Sequence, residues 1–443
     1  MARDVVRVGC GSAYAEDRIA PAVDLVERAD IEYIALDCLA ERTLVHAQLR
    51  KLDDPTKGYD LRLDRLVNEV AAPAVRRGIR FIANMGAANP LAAARRTKEL
   101  LGSANVAAIE GDDLLEHVRR SDPVTSSGRR VSELEGTVMT ANAYIGAEPI
   151  VEALALGADV VVGGRLADPS LFLAPAIHEL GWALDDWDLL GGGQTAGHLL
   201  ECGTHGVGGN FADPPYRVVP DLWNLGLPCG DIRRDGTSTI WKLDGTGGAV
   251  DVENCKAQLV YEVHDPAAYL TPDVTVDVRD VTLTQSGPDR VDVQGGRGTA
   301  RPERLKVLVG AMQGFIGEGE LSFAGPGARS RAELAADTVA KRLAHDGVPM
   351  DELRVDFVGL DSVHGAMTPP TDREPWEVRL RMAARCDTRA AAQAVADEVE
   401  FMFFGPAAGG GARKAVRPLL AMYDVYVERG EVPLTVTMVE AGR

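Results

Sequence analysis

No two cysteines form a CxxC pair: Cys10, Cys38, Cys202, Cys229, Cys255 and Cys386 stand far apart in 443 residues. That spacing excludes a disulfide framework and the commonest structural zinc sites, and predicts reduced thiols, several of them simply buried. Positive charge is also scarce, 47 Lys and Arg against 66 Asp and Glu for a formal net charge of -19. Without a general positive field, neither nucleic acid nor a membrane surface is expected as a partner, and an anionic substrate needs a local basic pocket. No stretch is apolar and long enough to span a bilayer, and "MARDVVRVGCGSAYAED" holds no signal-peptide core, so the expected compartment is the cytoplasm. The phosphate loop GxxxxGK[ST] is absent. "GCGSAY" falls short of GxGxxG, and Asp37, about where an acidic ribose partner would stand, is followed by polar "CLAERT". No nicotinamide cofactor is expected.

What is present is ordinary globular material, 46% hydrophobic and 26% charged, in a chain long enough for a sizeable core. The first third repeats an apolar run, a polar turn and an amphipathic helix: "VVRVGCGSAY" into "DRIAPAVDLVERAD", "IEYIALDCLAERTL" into "VHAQLRKL", "IRFIANMGAANP" into "LAAARRTKELLG". This alternation predicts βαβ units and a parallel sheet. Beyond residue 213 the texture turns to Pro/Gly/Asp-rich connections and alternating strands with hairpin signals. The expected class is therefore α/β, with a parallel domain over 1–212 followed by an α+β domain with antiparallel strands over 213–443.

Ligands of open parallel sheets gather beyond the carboxyl ends of the strands, which selects Ser12, Asp37, Asn84, Glu110, Asn142, Arg165 and Asp168 as substrate-binding candidates. Each also has a plain reading as a turn former or helix cap. Arg165, in "GGRLADPS", can hold a substrate carboxylate with its planar fork or brace the loop through Asp168. The densest cluster is "QTAGHLLECGTHGVGGNF". On a helix, His198, Glu201 and Cys202 share one face, and Gly203 ends the helix before His205.

Three chemistries fit this face, besides a helix end whose polar groups only cap carbonyls. His198 and Cys202 at i and i+4 can chelate zinc, although HxxxC alone is a weak pattern. Cys202 can be a nucleophile with His198 as base, but the negative end of the helix dipole opposes a thiolate. The same field favours a protonated His198 and a neutral Glu201, which suits general acid–base work. Asn210, with Asn84 and Asn142, is expected to polarise a substrate carbonyl. The run "GPAAGGGARK" is read as consecutive glycines ahead of a helix, so that Gly409, Gly410, Gly411 and Arg413 offer an anion site. A lone His364 sits in a proline-bearing loop and reads as a surface residue.

Taken together, "VRVGCGSAYAEDRIAPAVDLVER", "GADVVVGGRLADPSL", "AGHLLECGTHGVGGNF", "YEVHDPAAYLTPDV", "GFIGEGELSFAGPGA" and "GPAAGGGAR" resemble the acyclic terpene utilisation AtuA family over nearly the whole chain. The resemblance implies a role in catabolism of acyclic terpenes and branched acids through CoA thioesters. It also implies a small ferredoxin-fold subunit, expected here as a separate partner because the chain stops soon after "GPAAGGGAR". It supplies no residue roles. The resulting expectation is a lyase of hydratase type acting on a small carboxylic acid or its acyl-CoA, a homo-oligomer, with no cofactor and a divalent metal as the alternative. The rival functions are a Cys202-dependent thioester hydrolase or acyl transferase, and a non-catalytic acyl-CoA-binding scaffold.

Overall fold

The computed structural model describes residues 3–369, 373–405, 407 and 409–440. Five parallel strands form the heart of the fold, adjacent in the order Val5–Ser12, Tyr33–Leu36, Arg80–Ala83, Val160–Gly163, Val106–Glu110. Every residue of Tyr33–Leu36 and Val160–Gly163 is buried, as expected where both sheet faces are covered. Leu25 and Val26, from the helix Ala20–Arg28, pack with Ile34, Phe81, Val106 and Val160 in one apolar cluster.

The sheet continues with antiparallel strands from the second half of the chain. Pro228–Arg233 pairs with Val5–Ser12, followed outward by Ser238–Lys242, Arg290–Gln294 and Thr282–Gly287. At the opposite edge Thr435–Val439 pairs with Val106–Glu110. One sheet thus holds ten strands from both halves of the sequence.

The chain divides into two compact units, residues 1–132, 139–310 and 422–443 in one and 133–138 with 311–421 in the other. The border expected at 212/213 is therefore corrected. The change of texture there marks a change from parallel to antiparallel pairing within one sheet. The chain passes between units at 132/133, 138/139, 310/311 and 421/422, the last three inside the strands Thr137–Ala143, Arg304–Ala324 and Gly410–Glu428, so no linker composition signals those crossings.

The smaller unit is built on long antiparallel strands. Glu377–Cys386 lies between Glu352–Val358 and Arg304–Ala324, which also pairs with Gly410–Glu428. Its buried residues alternate along Glu377–Cys386 and pack Leu380 and Met382 with Val339 and Val395 of the helices Ala328–His345 and Arg389–Phe401. Despite its glycines, "RLKVLVGAMQGFIGEGELSFA" is one strand of 21 residues. Its glycines serve close packing: a Cβ on Gly317 would meet Ala392 O at 1.9 Å, and one on Gly319 would meet Val399 Cβ at 2.3 Å.

Candidate active site

Beyond the carboxyl ends of the parallel strands lies a cavity of about 860 Å³, contained in the larger unit. Ala13 follows the first strand, Asp37 and Leu39 the second, and Arg165 and Asp168 follow Val160–Gly163; all five line it. Glu201 and Cys202 supply a further wall from the end of the helix Trp187–Glu201. Tyr261, Glu262, Tyr269 to Pro272, Pro302 to Lys306, Tyr144 and Tyr426 complete it.

The loop after Val160–Gly163 is fixed from beneath by Asp112, which is 4% exposed. One of its carboxylate oxygens accepts from the Arg165 backbone N–H at 2.9 Å and from Asn142 Nδ2 at 2.8 Å. A Cβ on Gly164 would stand 2.3 Å from Asp112 Oδ1, so the loop closes this tightly only with glycine. Arg165 donates to Asp168 at 2.7 Å and lies 4.2 Å from the centroid of the Tyr144 ring. Of its two readings, the brace is the one made. Its charge is matched by Asp168.

Asn84 plays an equivalent supporting part. It donates to Asp37 at 2.6 Å while its oxygen accepts from Cys38 N–H at 2.6 Å. Burial, reinforced by the charge of Asp168, raises the Asp37 pKa well above the ordinary carboxyl range, with Arg165 and Asn84 opposing.

The helix carrying Glu201 is rich in glycine because neighbouring backbone presses on it. Cβ atoms on Gly191, Gly192 and Gly197 would meet backbone atoms of Arg297, Gly236 and Pro169 within 2.7 Å. Each glycine costs about 1 kcal/mol of helix propensity relative to alanine, which close packing and the buried Leu190, Leu199 and Leu200 offset. The last turn is held by Gln258, which donates to His198 O at 2.8 Å and bonds His205 Nδ1 at 2.6 Å.

At that turn His198 Nδ1 lies 2.7 Å from Glu201 Oε1. The two side chains are 3% and 10% exposed, and His198 Nε2 and Glu201 Oε2 have no protein partner among the described residues. Burial lowers the His198 pKa to about 4. The expected protonated imidazole is thereby corrected: a dipole contribution of about 0.3–1 kcal/mol is smaller than this desolvation. Burial also pushes Glu201 well above the ordinary range, and the charges of Asp168 and Glu262 add to the rise. The pair is a neutral imidazole behind a neutral carboxyl that faces the cavity. Cys202 lines the cavity too, but burial, with Glu201 beside it, raises its thiol pKa, and His198 Nδ1 is engaged by Glu201.

Of the sequence candidates, Asp37, Arg165, Asp168, Glu201 and Cys202 line the cavity, and His198 stands directly behind it. Asn84 and Asn142 are corrected from carbonyl-polarising groups to supports of Asp37 and Asp112. Asn210 is exposed and away from the lining residues. Ser12 is buried and donates to Tyr14 O, and Glu110 pairs with Thr435 in the sheet. Gly409, Gly410, Gly411 and Arg413 do not precede a helix: Gly410, Gly411 and Arg413 open the strand Gly410–Glu428, Gly409 stands just before it, and the adjacent Lys414 is paired with Asp397 and Glu400. Pro406 and Ala408 of that run lie outside the described residues, as do Pro370 to Asp372 of the loop bearing the exposed His364. Among the described residues no group of three or more His, Cys, Asp or Glu side chains is arranged to hold a metal ion. No described helix is long and apolar enough to cross a membrane.

The strand-end rule missed Tyr144, Tyr261, Glu262, Tyr269, Arg304, Lys306 and Tyr426. One signal was available for two of them: in "RLKV" the basic residues alternate with apolar ones, which puts Arg304 and Lys306 on one face of a strand.

No curated protein and no solved structure matches this chain. Residues 6–438 match the family described as acyclic terpene utilisation family protein AtuA. That span covers nearly the whole sequence, every strand of the ten-stranded sheet included but for the first residue of Val5–Ser12 and the last of Thr435–Val439, and the chain belongs to the AtuA family.

Proposed function

We propose that the protein is a lyase of hydratase type, acting on a small branched carboxylic acid or its CoA thioester by acid–base elimination or addition of water. The observation that carries this reading is the buried His198–Glu201 pair, a carboxyl kept neutral in a cavity wall at a pH where ordinary carboxyls are ionised. In the elimination direction Glu201 gives its proton to the departing hydroxyl as the C–O bond breaks. Glu262, a lining carboxylate whose charge reaches both Glu201 and His198, takes the α proton, and the electron pair left on carbon becomes the double bond. Water leaves, and the reverse sequence adds it. Tyr269 keeps its phenolic proton through burial and can donate a hydrogen bond to the substrate carbonyl. His198 orients Glu201.

The family's link to acyclic terpene utilisation fits a branched acid substrate. The Cys202 reading is weaker, because burial raises its thiol pKa and His198 Nδ1 is bonded to Glu201. The test is turnover of a panel of 3-hydroxy and 2,3-unsaturated branched acids, free and as CoA thioesters. Glu201→Gln should lower the rate about 10²- to 10⁴-fold without lowering the melting temperature. Full activity in that variant sinks the assignment, and loss confined to Cys202→Ala would move it to thioester chemistry. Tight acyl-CoA binding with no turnover of any member would mark a scaffold.

A further inference from the structure

We propose that Arg304 and Lys306 form an anion subsite in the cavity wall, for a carboxylate or phosphate group of the substrate. The two residues open the strand Arg304–Ala324 and stand at i and i+2 on one face, exposed, with Leu305 and Val307 buried on the other. Both line the cavity. The guanidinium of Arg304 lies 5.7 Å from the centroid of Tyr426, and the ammonium of Lys306 lies 5.4 Å from that of Tyr144, so aromatic faces support both cations.

Their backbone is pinned on two sides. Tyr144 N–H donates to Lys306 O at 2.9 Å, and Arg429 N–H donates to Glu303 O at 3.2 Å. The Arg429 guanidinium also clamps the carbonyls of the lining residues Pro272 and Pro302, at 2.7 and 3.0 Å. Among the described residues neither Arg304 nor Lys306 has a carboxylate within ion-pair distance or a side-chain hydrogen bond. Most arginines of this acidic chain do have such partners, and so does the remaining lining cation, Arg165. Of the acidic residues that line the cavity, Asp168 is paired with Arg165 and Glu201 is held protonated, while Glu41, Glu262 and Glu303 offer an anion no attraction. The Arg304–Lys306 face is thus where an anionic group finds unmatched positive charge, and fork-like donors suit carboxylate and phosphate oxygens alike.

The subsite rests on the proposed function only in naming its ligand as substrate, and binding can be read without turnover. The experiment is calorimetric titration of the full chain at low salt with glutarate in one arm and inorganic pyrophosphate in the other. Wild-type protein should bind at least one probe, the stronger arm identifying carboxylate or phosphate. R304A/K306A, and K306E alone, should weaken it about ten- to a hundred-fold with unchanged melting temperature, since both side chains are exposed. E201Q should bind like wild type. A double variant with wild-type affinity overturns the subsite, as does wild-type protein that binds neither probe at millimolar concentration. Binding that depends on Arg304 and Lys306 in a protein without turnover sinks the catalytic reading and leaves the subsite standing.

Discussion

The two compact units use polar residues in opposite ways. In the larger one, short parallel strands are buried on both faces, and polar side chains collect where those strands end: Asp37 on Asn84, Asp112 on Asn142, Arg165 on Asp168. In the smaller unit the strands are long, burial alternates, and the uncovered face carries ion pairs: Arg379 with Glu320, Arg381 with Glu318 and Asp356, Arg385 with Glu135. The charges of the second lattice neutralise one another on a partly exposed face. Those of the first are desolvated, and their protonation is shifted accordingly. Charge at the end of a buried sheet is therefore desolvated more fully than charge on the face of a half-exposed sheet.

The sharpest test of that contrast is the same substitution in both units. Glu201→Gln should lower turnover about 10²- to 10⁴-fold, whereas Glu318→Gln should leave it unchanged, both read as initial rates on the same substrate. Loss of activity in both variants would erase the distinction.

Stability against pH separates the units next. Because the folded His198 titrates at about 4 instead of 6.5, the unfolded chain takes up a proton between these values that the folded chain refuses. This part of the stability is present above pH 6.5 and is lost as pH falls towards 4, worth about 3 kcal/mol at most. Denaturant titrations of His198→Asn across that range should show a flatter acid limb than wild type. Glu201 has the opposite sign. Its raised pKa contributes stability below the ordinary carboxyl value of 4.5 that is lost as pH climbs through the raised one, and Glu201→Gln should remove that alkaline decline.

Backbone closeness gives a smaller effect. Gly164→Ala drives a methyl into Asp112 and should cost about 1–3 kcal/mol while disturbing Arg165. Gly410→Ala, at a position with open space around it, should stay within about 0.5 kcal/mol. Equal losses by thermal unfolding would refute the close-approach argument. Least of all should matter Arg381→Met in the surface lattice, at about 1 kcal/mol or less, with a cost that shrinks as salt is added.

Period and turn chemistry made the parallel strands and their helices legible, because each is a local pattern of a few residues. The strand-end rule then located Asp37, Arg165 and Asp168, and helical spacing joined His198 to Glu201. Neither rule could tell a lining side chain from a supporting one. Asn84 and Asn142 stand one turn of logic behind the residues they hold, and that depends on which way a side chain points. Protonation of His198 was misjudged for a related reason: a dipole is visible in the helix pattern, whereas desolvation depends on what packs around it from residues 258 to 269. The glycines at 409–411 carried a loop signature that pairing into a strand overrode. Tyr426 was hidden because contact across more than a hundred residues leaves no local trace, and the alternation of Arg304 and Lys306 marks a common face without saying what that face meets.

The cavity's walls are drawn from segments as far apart as Ala13 and Tyr426, and the sheet beneath them is closed by Thr435–Val439. In the order of synthesis the parallel strands and Glu201 come first, and the pocket they prepare gains its full lining only when residues 302–306 and then Tyr426 have been added.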